Sequence, residues 1–177
     1  REDLMATQTR TDGRVSGAAR ARHRMVERQL RARGIKDMRV LQAMSEVPRE
    51  AFVPEALCES AYADSSLPID HHQTISQPYT VAFMCEALQL SGLETVLEIG
   101  TGTGYAACVL SHLARQVFSI ERIPELAYSA QRRVAALGYG NVTIVCGDGT
   151  LGLPEEAPFD GIVVTAGAPE LPATYAR

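Results

Sequence analysis

"LEIGTGTGYAACVL", residues 97–110, decides how the rest of the chain is read. An apolar run carries an acid near its end, three glycines follow at every second position (Gly100, Gly102, Gly104), and an apolar run resumes at once. Glycine admits positive φ and lets a ligand approach the backbone with no Cβ in the way, so the stretch reads as a strand, a ligand-facing turn and a helix. A tight turn with no ligand is the plain alternative for such a loop taken alone.

Working outward, the pattern alternates. "TVLEI" (95–99), "QVFSIE" (116–121), "NVTIVCGD" (141–148) and "FDGIVVTAG" (159–167) read as strands. "YAACVLSHLA" (105–114) and "PELAYSAQRRVAALG" (124–138) read as helices between them. Strand–helix alternation at this spacing implies a Rossmann-like, doubly wound, mostly parallel α/β sheet, and near-continuous apolar strands imply that both sheet faces are covered. Upstream, helices are expected over 21–33 (closed by Gly34), over 37–47 (capped by Asp37), within 54–63, and from Pro78 to near Gly92. Residues 64–78, "DSSLPIDHHQTISQP", show no helical or strand period, and a loop of that length in a small domain is often functional. Residues 1–20 read as a disordered polar tail and 21–177 as one domain, with a helical cap and active-site loop over 21–92 and an α/β core over 93–177.

The glycine spacing sorts the ligands. An ATP-type loop needs Lys and Ser or Thr after its last glycine, and here Tyr105 and Ala106 follow. A dinucleotide fingerprint puts its third glycine three after the second, where this chain has Tyr105. Acids stand at the ends of the next two strands: Glu121, placed to accept from ribose hydroxyls, and Asp148, placed to accept from an adenine amino group. Each alone also reads as a cap or a solvent-facing residue. Together with the loop they point to adenosine without a pyrophosphate, and S-adenosylmethionine fits.

Composition narrows the remaining classes. Four scattered cysteines show no metal spacing, so reduced thiols and a cytoplasmic protein are expected. No apolar run is long enough to span a membrane, and none reads as a secretory signal. Residues 1–36 carry ten Lys and Arg against four Asp and Glu, and the rest seven against seventeen. The basic head has no aromatic interleaving, so nucleic acid is not expected as a partner. His71 and His72 are adjacent with no further ligand at metal spacing, and no metal is expected.

Beyond these readings, the chain resembles the protein-L-isoaspartate O-methyltransferases over about residues 25–172. The likeness rests on "VPREAFVP" (47–54), "QTISQPYTVA" (73–82), "VLEIGTGTGY" (96–105), "GDG" (147–149) and "APFDGIVVTAGAPELP" (157–172). It implies a class I, S-adenosylmethionine-dependent repair enzyme that methylates the free α-carboxylate of isoaspartyl residues in damaged proteins. By the same resemblance Ser76 is the active-site serine, and Gln73, Thr74 and Ile75 line the cofactor pocket with it. Glu98, Gly100, Thr101, Gly102, Gly104, Glu121, Asp148 and Gly149 carry cofactor-binding roles on the same ground. A carboxylate nucleophile has a pKa of about 4 and needs no general base, which agrees with the lack of one. Ser76 also reads as a cap for the helix starting at Pro78. "DHHQT" replaces a stretch where the family more often has glycine, leaving the loop shape open. The family continues past the position of Arg177 with further strands, so the expected sheet is incomplete: "GIVVTAG" is an apolar edge for a partner, a second copy or more chain to cover, and cofactor binding without efficient turnover is one outcome. A methyltransferase with another substrate and a non-catalytic cofactor-binding module are the rival readings; a nicotinamide dehydrogenase is a distant third.

Overall fold

The computed structural model describes residues 17–167. The tail reading for residues 1–16 and the end of the 157–172 motif, from 168 on, lie outside these residues. Residues 17–20, expected in the tail, are already helical: α1 runs over residues 17–25. It continues as a π turn, Val26–Leu30, and a 3₁₀ turn, Arg31–Arg33, and ends on left-handed Gly34. The wider π turn swings Leu30 toward the face of Met25, and both are fully buried. Helix α2, Met38–Glu46, starts where expected: the Asp37 side chain accepts from the backbone N–H of Arg39 and Val40. The segment expected to hold a third helix, 54–63, instead forms a 3₁₀ stretch, Glu55–Ser60, and another 3₁₀ turn, Arg49–Phe52, precedes it.

The 64–78 loop contains structure its sequence hides. Strands β1, Leu67–Pro68, and β2, Thr74–Ile75, pair antiparallel, Leu67 with Ile75 and Pro68 with Thr74. Two residues per strand are too few to show alternation. Between them His71 and His72 both take left-handed φ, 57° and 56°, where glycine would sit without strain. Helix α3, Pro78–Ala87, ends short of Gly92 because Gln89 turns the chain at φ 51°.

The core sheet is β3, Thr95–Ile99; β4, Gln116–Glu121; β5, Val142–Cys146; and β6, Gly161–Val164. Helices α4, Tyr105–Ser111, and α5, Pro124–Ala136, connect β3 to β4 and β4 to β5. All pairings are parallel, in the order β5-β4-β3-β6. The chain therefore runs outward from β3 on one side and returns to its other side at β6, which makes the gap between the carboxyl ends of β3 and β6 the place where such sheets bind ligands. Period-two alternation divides the faces. Val96, Val117, Ile144 and Val163 join the large core formed with α1–α5. Leu97, Ile99 and Ile120 join a smaller cluster with Phe118, Phe159 and Leu153. Covered faces were expected on both sides; among the described residues the α-helices pack on one, and β6 has a single strand neighbour.

Candidate functional site

Each glycine of the loop after β3 is required for a different reason. Their φ values are 101°, 53° and 89° for Gly100, Gly102 and Gly104. A Cβ at Gly100 would stand 2.8 Å from both the Cβ and the nitrogen of Ala166, so this position lets the β6 end close onto the loop. A Cβ at Gly104 would press on Val134 of α5 at 3.2 Å. At Gly102 the nearest atom is Ile69 Cδ1 at 3.8 Å, so the middle of the loop faces open space.

That space is a cleft lined by Thr74, Ile75, Ser76, Val81, Glu98, Gly100, Thr101, Gly102, Thr103, Tyr105, Ala106 and Thr165. It unites seven of the expected residues from two distant stretches, the β2 segment and the glycine loop. Thr165, just past β6, closes it by donating its hydroxyl to the Ile99 and Gly100 carbonyls, at 2.9 and 2.6 Å.

Glu98 lies at the back of the cleft with no solvent exposure. Strand register sets it opposite Ser119, whose hydroxyl donates to Glu98 Oε2 at 2.6 Å and meets Thr101 Oγ1 at 2.6 Å. Burial pushes the Glu98 carboxyl up to about 8, with the Glu121 charge acting the same way against the Ser119 hydrogen bond. Among the described residues its Oε1 has no hydrogen-bond partner, and neither does the buried Thr103 hydroxyl. A carboxyl oxygen and a hydroxyl left unsatisfied beside a glycine opening suit a ligand that brings its own hydrogen-bonding groups, as S-adenosylmethionine does.

The other expected residues surround this cleft without lining it. Glu121 is nearly buried; its Oε2 accepts from Gly102 N at 2.8 Å and its Oε1 from Ile123 N at 2.9 Å, so it braces the loop from the neighbouring strand. Asp148 is exposed and accepts from the backbone N–H and the hydroxyl of Thr150, bonds that hold its carboxyl below the usual range. Gly149 packs on Ile99, where a Cβ would come within 2.5 Å of Ile99 Cγ2. Gln73 is exposed and donates to the His71 carbonyl. Gly104 serves packing, as described. Residues missed by sequence reading include Thr103 and Thr165; the position of Thr165 just past the returning strand is the signal that marks it.

Ser76 is half-buried at the cleft wall, just beyond the β1–β2 ribbon. Its carbonyl accepts from Arg49 Nη2 at 2.8 Å. Its hydroxyl makes no hydrogen bond among the described residues. The capping role is corrected: the N-cap of α3 is Gln77, and no side chain caps that helix. The Ser76 hydroxyl is thus left for the cleft. Tyr105 forms the wall beneath it, edge-on to Phe52 at 5.5 Å, with burial pushing its phenol up to about 12.

Comparison with known proteins bears on the family of the chain. Residues 20–177 match the family described as protein-L-isoaspartate(D-aspartate) O-methyltransferase (PCMT). A protein-L-isoaspartate O-methyltransferase 1 of Syntrophobacter fumaroxidans is 60% identical over 153 residues, 86% of this chain and 72% of that protein. A second, from Marinobacter nauticus, is 61% identical over 152 residues, 86% of this chain and 69% of that one. A solved protein-L-isoaspartate O-methyltransferase superposes with a TM-score of 0.77 at 36% identity, covering 88% of this chain; the chain spans about half of that structure, 51%. A Plasmodium falciparum structure described as a beta-aspartate methyltransferase and holding S-adenosyl-L-homocysteine gives a TM-score of 0.70 at 25% identity, covering 86% of this chain and 77% of that one.

Proposed function

The chain belongs to the protein-L-isoaspartate(D-aspartate) O-methyltransferase family, and from that premise we propose how its residues carry the reaction. It is a protein repair methyltransferase: it transfers a methyl group to the free α-carboxylate of isoaspartyl residues in damaged proteins. S-adenosylmethionine supplies, when bound, a methyl group already activated on a sulfonium. The substrates are isoaspartyl-containing peptides and proteins. The observation that carries this reading is the single cleft that joins Ser76 to the glycine loop and Glu98.

Within that cleft the residues divide the work. Gly102 and the unsatisfied Glu98 Oε1 and Thr103 hydroxyl hold the cofactor; Glu121 keeps the loop in place. Thr74, Ile75 and Ser76 close the cleft from the opposite side, with Gln73 at its rim, and Asp148 and Gly149 extend the binding edge past β5. The substrate carboxylate is ionised near neutral pH, so no side chain needs to take a proton. The Ser76 hydroxyl orients it without adding charge, and catalysis comes from positioning and exclusion of water. The described residues up to 92 supply the cap and active-site loop, and 93–167 the cofactor-binding core. No described helix is long and apolar enough to cross a membrane, and all four cysteines are free, which supports a place in the reducing cytoplasm.

The test is transfer of labelled methyl from S-adenosylmethionine to two matched peptides, one isoaspartyl and one aspartyl. Base-labile label on the isoaspartyl peptide alone, lost in Ser76→Ala, is the expected result. Equal labelling of both peptides overturns the substrate assignment. Binding of S-adenosylhomocysteine with no label on either peptide leaves a cofactor-binding module.

A further inference from the structure

Arg49 is the largest fully buried side chain among the described residues, and nothing in the reaction so far uses it. Its Nε donates to the Ala61 carbonyl at 2.7 Å and its Nη2 to the Ser76 carbonyl at 2.8 Å. Its Cζ lies 4.8 Å from the centre of the Tyr105 ring. Its Nη1 has no hydrogen-bond partner among the described residues. Among the described residues no carboxylate pairs with it: the adjacent Glu50 is taken by Arg22 and by the Tyr62 hydroxyl.

A buried cation without a counter-ion is costly, and tying two carbonyls together does not require one, since a neutral donor suffices. The position of the charge makes sense of it. Ser76 and Tyr105, the two residues that Arg49 touches on that side, both line the cleft. The guanidinium therefore stands one layer behind the cleft wall, in a low-dielectric setting that screens it little. A carboxylate bound on the open side of that wall supplies the missing negative charge.

We propose that Arg49 is a positioning residue for substrate: its fork fixes the Ser76 segment through the carbonyl, and its unpaired charge favours a carboxylate beside the Ser76 hydroxyl. The inference rests on the role given to Ser76 above, and the experiment separates the two. Wild type, Arg49→Met, Arg49→Lys, Ser76→Ala and the Arg49→Met/Ser76→Ala double variant of the whole chain are compared. The readouts are kcat and KM for an isoaspartyl peptide, anisotropy of the same peptide carrying a fluorophore in the presence of S-adenosylhomocysteine, and calorimetric affinity for S-adenosylhomocysteine.

Arg49→Met is expected to weaken peptide binding at least about tenfold while S-adenosylhomocysteine affinity changes less than about threefold, and Arg49→Lys to recover part of the loss. The double variant is expected to be no weaker than the worse single one, because the two residues act through one position. Unchanged peptide affinity in Arg49→Met, a parallel loss of both affinities, or losses that multiply in the double variant overturns the inference. Wild-type behaviour of Ser76→Ala, by contrast, removes the role of Ser76 itself. Should Arg49→Met not fold, Arg49→Lys carries the test: a peptide-specific loss that does not multiply with Ser76→Ala supports the role, and any other outcome ends it.

Discussion

Replacing Glu98 by glutamine removes the one carboxyl that the fold holds fully buried against the cleft, and its effect has a defined sign. The carboxyl is pushed up to about 8 from an ordinary value of 4.5. Between those two values the unfolded chain has released the proton and the folded chain still holds it. Stability contributed by this group is therefore complete below the lower value and drains away as pH rises through the upper one. The slope is about 1.4 kcal/mol per pH unit, and the whole interval amounts to ~5 kcal/mol. Urea unfolding of the ligand-free protein at about pH 5 and about pH 8 measures it, with Glu98→Gln as the reference that cancels every other titrating group. Wild type should gain on the glutamine variant by several kcal/mol toward the acid end, of the order of that interval. Parallel stability curves for the two proteins would refute the claim that Glu98 is held neutral.

Other substitutions test the loop and the cap. Gly100→Ala forces a Cβ to 2.8 Å from Ala166 at a φ of 101° and should cost more than about 2 kcal/mol, seen as a lower melting temperature. Gly102→Ala meets nothing closer than 3.8 Å and should cost only about 1 kcal/mol of stability, yet weaken S-adenosylhomocysteine binding at least about tenfold by calorimetry. Glu121→Gln turns an amide N–H₂ toward one of two backbone donors, Gly102 N or Ile123 N, and should cost about 1–3 kcal/mol in urea unfolding. Asp37→Ala strips the cap of α2 and should cost about 1 kcal/mol with cofactor-product affinity unchanged.

Strands β3 and β4 were legible to the residue because a central parallel strand is a mostly apolar run bounded by turn residues or a helix end, even with Glu98 and Ser119 inside it. Helix ends were less so: α4 stops at Ser111 rather than at 114, and α3 at Ala87, since the residues that follow keep an apolar pattern while the backbone has already turned. The π and 3₁₀ turns around Leu30 and Phe52 were invisible, because hydrophobic spacing hardly distinguishes them from an α-helix. In the site, the glycine loop and the Ser76 segment announced themselves. Glu121 shows the limit of that reading. An acid at a strand end is equally suited to a ligand's hydroxyls and to a loop N–H, and only the fold reveals that Gly102 N also donates to it. Arg49 sat in plain view within "VPREAFVP", but a charged residue is expected at the surface, and no local pattern marks one that the fold will bury completely.

The return of β6 to the far side of β3 has a consequence for how the protein comes into being. A ribosome delivers β3, β4 and β5 first, and these can pair among themselves as they emerge. The flank of β3 that β6 will occupy stays vacant until Gly161–Val164 have cleared the exit tunnel, and only then can Thr165 fasten onto the Ile99 and Gly100 carbonyls. A nascent chain thus carries the glycine loop, the acid and the serine before it owns the wall that closes the cleft. The last wall of the cleft is set by the last strand to emerge among the described residues.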